Sequence, residues 1–85
     1  MPLIATQMPH TTVQSVLLSR SRFSSQRQAM AWLKGHGWRQ ALDVKPNTYR
    51  ARQLDPAKFA RGAFRTIRLT DGVEAVIGHL KTRWR

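Results

Sequence analysis

An 85-residue chain has room for one domain with one modest core, and a domain of that size buries only roughly 60% of its unfolded surface. Three Trp, three Phe and one Tyr within an apolar share of 41% exclude a disordered basic tail, and the lack of cysteine excludes both a disulfide framework and a thiolate zinc site. Fifteen Lys and Arg stand against four Asp and Glu, a net charge of +11, whereas solubility alone is served by a magnitude of about 2–8.

Residues 1–12 carry Pro2 and Pro9 among small residues without periodicity, and read as a flexible N-terminal arm. The arm lacks the basic-then-apolar order of a signal peptide, and no apolar run approaches the ~20 residues of a membrane span. The expected setting is therefore the cytoplasm, or a particle assembled there. A compact domain is expected over residues 13–80, followed by a basic tail over 81–85.

Val13 to Leu18 is a short run rich in β-branched residues, bounded by Ser19-Arg20-Ser21-Arg22, and predicts a largely buried strand. Ser25 and Gln28 have capping-box spacing, and Ala29, Met30 and Leu33 share one helical face with Arg27 and Lys34 outward. Gly35 and Gly37 supply a left-handed stop, so a helix is predicted from Ser25 to His36, with Trp38 and Leu33 placed to meet in a Schellman motif. Arg39 to Thr48 reads as a connector punctuated by Pro46-Asn47.

Tyr49 to Leu54 alternates, with Tyr49, Ala51 and Gln53 on one face and Arg50 and Arg52 on the other, the pattern of a half-buried strand with a cationic outer face. Asp55-Pro56 stops it, and Ala57 to Gly62 is a loop or a single helical turn. Phe64 to Leu69 predicts another strand, with Arg65, Ile67 and Leu69 on one face and Arg68 on the other. Asp71-Gly72 is a two-residue hairpin signal that would pair Ile67 with Val76 and Leu69 with Glu74. Val73, Val76, Ile77 and Leu80 also fit a helical period, but Gly78 and the turn favour a returning strand. The expected fold is α+β: one helix on a small, mainly antiparallel sheet in the order β-α-β-β-β.

Val13 to Leu18, Phe23, the segment Ala31 to Trp38, Tyr49 to Pro56, Phe64 to Leu69, Asp71-Gly72-Val73 and Val76-Ile77-Gly78 form one ordered set. In these residues the chain resembles an uncharacterised small domain carried by tailed phages and large DNA viruses, alone or near virion-structure genes. Ala51 stands where that domain commonly has a larger aromatic, and Leu18 where Phe is expected. The resemblance implies a phage or prophage origin and carries no mechanism.

Chemistry-bearing residues are sparse. His10, His36 and His79 with four acids show no ligand spacing, and no phosphate-binding glycine loop is present, so neither metal, cofactor nor catalysis is expected. Eleven of the fifteen cations are Arg, whose planar fork suits phosphate and carboxylate. Arg50, Arg52 and Arg68 on strand faces, with Lys81, Arg83, Trp84 and Arg85 in the tail, are the candidate contacts to nucleic acid, DNA or RNA, without sequence readout. The alternative partner is an acidic protein surface, met as an inhibitor of a host protein or as a virion component. Each Arg also has the plainer reading of a solvated face, and Trp32 and Trp38 of core packing. An exposed edge strand in so small a sheet would also allow a homodimer.

Overall fold

A computed structural model describes residues 11–62 and 64–81. Its elements run β1 (Thr11–Ser19), α1 (Gln26–Gly35), β2 (Leu42–Val44), β3 (Thr48–Arg52), a 3-10 turn (Pro56–Lys58), β4 (Arg65–Thr70) and β5 (Val73–His79). The strands form one five-stranded sheet in the order β2-β3-β1-β5-β4, and every pairing is antiparallel. This is the expected α+β domain with one helix on a sheet, enlarged by a strand. No helix among the described residues is long and apolar enough to cross a membrane.

The helix begins and ends as its residues dictate. Ser25 is extended, and its hydroxyl accepts from the Gln28 N–H at 3.2 Å. The returning arm of the capping box lands one residue early: Gln28 Oε1 accepts from the Ser24 N–H at 2.9 Å rather than from Ser25. At the other end Gly37, at φ +78°, lets the Trp38 N–H reach Leu33 O at 2.9 Å and the Gly37 N–H reach Lys34 O at 3.2 Å, completing the Schellman motif. Gly35 is helical and takes no part in the stop. Lys34 in the last turn complements the helix dipole.

Alternation along the strands sorts the two faces of the sheet. Two rows, Val44-Tyr49-Leu18-Val73 and Leu42-Ala51-Val16-Ala75, run across the strands on the face beneath α1. There Val16, Leu18, Tyr49, Ala51, Val73 and Ala75 are buried with Ala29, Leu33 and Phe23, while Val13, Trp32, Trp38 and Leu42 pack around them. Met30, expected on the buried face, is exposed; α1 instead turns Trp32 toward the core, its ring 6.4 Å edge-on from Phe23.

Three further expectations change. The connector contains β2, a three-residue strand that exists by pairing with β3 through Leu42–Ala51, Asp43–Arg50 and Val44–Tyr49. The first strand begins at Thr11, so Thr11 and Thr12 belong to the sheet and not to the arm. The last hairpin forms with a strand as its return, but Ile67 pairs with Ala75 rather than Val76, and Glu74 with Arg68 rather than Leu69. The register shifts between Arg68 and Thr70, leaving Leu69 as an extra residue in the edge strand.

The segment between β3 and β4 crosses the sheet on the face away from α1. The Gln53 and Leu54 N–H groups donate to Gln14 O at 2.8 and 3.2 Å, and the Ala60 N–H donates to His79 O at 2.8 Å. Phe59, nearly inaccessible, and Phe64 lie 5.2 Å apart, ring centre to ring centre, over Gly78. A Cβ on Gly78 would sit 2.9 Å from Phe59 and 3.1 Å from Phe64, so only glycine lets the crossing close down.

Candidate anion-binding surface

The face of the sheet away from α1 carries the predicted arginines, and the ladders fix their neighbours. One row reads Asp43-Arg50-Leu17-Glu74-Arg68 across all five strands; the next reads Arg52-Ser15-Val76-Thr66. Arg50 and Arg52 are on one face of β3, as alternation requires. Arg68 shares that face but stands three strands away, about 14 Å at the usual strand spacing. It is also paired with Asp71 at 3.3 Å, beside Glu74. The strands of Arg50 and Arg52 and of Arg68 are not neighbours, so the three do not form one patch.

Arg50 is held in place by neutral groups. Its Nε donates to Ser15 Oγ at 3.1 Å and its Nη2 to Gln14 Oε1 at 3.0 Å, while Ser15 Oγ donates to the same Gln14 oxygen at 2.8 Å. Gln14 Nε2 in turn donates to Leu54 O at 2.9 Å. Gln14 and Ser15 are buried, and among the described residues Arg50 has no carboxylate within 4 Å. The guanidinium is thus oriented without being neutralised, and its remaining N–H groups are available to an outside anion.

The strand directions gather further cations that no alternation pattern reveals. Because the sheet is antiparallel throughout, the C-termini of β3 and β5 and the N-termini of β1 and β4 meet at one end, spanned by the crossing segment. Arg52, Lys58, Arg61, Arg65 and Lys81 all belong to this crossing end, with Asp55 the one acid of that stretch. Asp55 is occupied locally, its Oδ1 accepting from the Ala57 N–H at 2.9 Å as cap of the 3-10 turn. Lys81 is fixed there through its backbone N–H, which donates to Lys58 O at 2.9 Å.

Arg39 joins the same side, missed by the sequence reading. Its N–H donates to Gln53 Oε1 at 2.8 Å and its Nη1 to Gln53 O at 3.0 Å, just beyond Arg52. Gln53 is buried as predicted, and its amide closes the exchange by donating to Arg39 O at 3.0 Å.

Of the seven predicted contacts, the structure brings Arg52 and Lys81 to one end, draws the Arg50 guanidinium toward them through Gln14 and Ser15, and sets Arg68 apart. Arg83, Trp84 and Arg85 lie outside the described residues. Compared with protein-family models, with curated proteins and with solved structures, the chain matches none.

Proposed function

We propose that the protein binds the phosphate backbone of nucleic acid without reading its sequence, through the crossing end of the sheet, in the phage setting that the resemblance implies. The observation that carries this reading is the segregation of charge. Fifteen Lys and Arg less Arg83 and Arg85 leave thirteen among the described residues, and only Lys45 and Arg68 of these make ion pairs there. The acids Asp71 and Glu74 sit on the β4–β5 turn and the start of β5, away from Arg52 and Lys81, while Asp43, opposite Arg50 on β2, is paired with Lys45. A polyanion laid across the crossing end would meet several guanidinium and ammonium groups and release condensed counterions. Nothing in such contacts distinguishes one base from another.

Titration of fluorescent DNA and RNA oligonucleotides at about 50 and 200 mM salt tests the proposal. The expected result is binding at the lower salt that weakens steeply at the higher. The double variant Arg52→Gln, Lys81→Gln should bind more weakly and lower the slope of log K against log salt by about two. Absence of binding at the lower salt, or binding insensitive to salt, would overturn the proposal.

A further inference from the structure

An aromatic ring stands exposed within the cationic end of the sheet. Among the described residues Phe23, Tyr49 and Phe59 are buried and Trp32 and Trp38 pack around the core, but Phe64 is 39% exposed. Phe59 lies against it, 5.2 Å away ring centre to ring centre and tilted by 43°, and Gly78 is beneath both. The ring is held from behind, so what remains open is a fixed apolar surface. Arginines lie over the Tyr49 and Phe23 rings at 5.3 and 4.9 Å, whereas among the described residues no cation lies over Phe64.

The ladders put this surface beside the cations of the crossing end. Gly78 pairs with Thr12, one row beyond Arg52-Ser15-Val76-Thr66, and faces the same side of the sheet. Arg52 stands two strands from Gly78, about 10 Å across the sheet and about 7 Å along it, a separation that a few nucleotides span. Ser15 and Val76, both uncharged, make the floor between them. Lys58 and Arg61 flank Phe59 in the chain, and Lys81 is tied to Lys58 beside the Phe59–Leu80 bridge. A polyanion held by these groups therefore passes next to an open aromatic ring.

We infer that the crossing end takes single-stranded nucleic acid, one unpaired base lying on the Phe64 ring while neighbouring phosphates meet Arg52 and Lys81. The inference rests on the phosphate-binding reading and narrows its substrate class. In a duplex each base is covered above and below by its neighbours. Phe64, backed by Phe59 and Gly78, does not project as a wedge that could part them. An unpaired base can turn its flat face onto the ring, and every base has such a face, so stacking adds affinity without sequence preference. The gain from one base on one aromatic ring is roughly five- to 150-fold in affinity.

Three fluorescent probes test it: a thymidine strand of about twelve nucleotides, an abasic strand of equal length, and a hairpin duplex with the same number of phosphates. Anisotropy titrations of the full chain at about 50 and 200 mM salt give affinities and salt slopes. The thymidine strand should bind at least about fivefold more tightly than the abasic strand at equal salt. Phe64→Leu, which keeps an apolar side chain on Phe59, should remove that difference. Its affinity for the abasic strand and the duplex, and its salt slope, should match wild type, which also shows that the variant folds. Phe64→Tyr, which keeps a ring, should retain the preference for thymidine. Equal wild-type affinity for thymidine and abasic strands, with a steep salt slope, would overturn the inference and leave the phosphate-binding reading standing. A thymidine preference that survives Phe64→Leu, or an equal loss on all three probes in that variant, would overturn it as well. Absence of binding to every probe at the lower salt would overturn both.

Discussion

The two ends of the sheet differ in what their basic residues meet. At the turn end, arginines are structural. The Arg20 N–H donates to Asn47 O at 3.0 Å and its Nη1 to Lys45 O at 2.9 Å, which ties the β2–β3 turn to the end of β1. Arg22 lies over the Phe23 ring, 4.9 Å from its centre, and donates to Asp71 O in the β4–β5 turn. The remaining charges at this end meet acids, Lys45 on Asp43 and Arg68 on Asp71. At the crossing end Arg52, Lys58, Arg61, Arg65 and Lys81 make no ion pair among the described residues. Net charge alone does not locate a binding surface; what decides is which cations the fold has left without an internal partner.

The largest effect is expected at the crossing end, where packing rather than charge holds the segment. Gly78→Val drives a branched side chain into the space held by Phe59 and Phe64, and overpacking of this kind costs about 1–3 kcal/mol. In a domain of this size each kcal/mol lowers the melting temperature by about 4–8 °C. Amide exchange should quicken first around Ala60 and Leu80 while the turn end stays protected. Uniform loss of protection would show that the two ends do not unfold separately. Gln14→Leu should cost about 1–2 kcal/mol, since it strips acceptors from Ser15 and Arg50 and a donor from Leu54 O. It should also weaken oligonucleotide binding although the charge is unchanged, because Arg50 is no longer held. An unaltered affinity would remove Arg50 from the binding surface.

Much of the fold was legible because it rests on local chemistry. Ser25, Gln28 and Gly37 mark the helix through groups that satisfy its own ends, and the alternation from Tyr49 to Gln53 places the arginines on one face of β3. What was hidden depends on partners distant in sequence. Leu42 to Val44 is too short to carry a period and becomes a strand only beside β3. The extra residue at Leu69 leaves Ile67 and Leu69 still alternating, so the sequence pattern is the same with and without the register shift. Arg50 and Arg52 were recognisable as candidates, but the support from Gln14 and Ser15 comes across a strand pairing 35 residues apart in sequence. Arg68 looked equivalent to them until the sheet order separated it, and Arg39 became a candidate only once Gln53 drew it in.

Arg22→Ala tests the turn end by itself. It removes one hydrogen bond to the β4–β5 turn and the contact with Phe23, an expected loss of about 1 kcal/mol in thermal unfolding. Oligonucleotide affinity should change much less than in the Arg52→Gln, Lys81→Gln variant, although each substitution removes cationic charge. Equal losses per charge removed would mean that overall charge, not the crossing end, draws the polyanion.

The smallest and sharpest case is Asp71→Asn. The Arg68–Asp71 pair is exposed on both sides, so losing it should alter stability by no more than about 0.5 kcal/mol. The variant adds one unit of positive charge and frees Arg68, yet it leaves Arg68 beside Glu74 and three strands from β3. If the crossing end is the contact surface, the salt slope should stay within experimental error of wild type. A slope steeper by about one would place Arg68 against phosphate after all and extend the surface over the whole open face. Because stability hardly moves, the salt titration reads the division between the two ends directly.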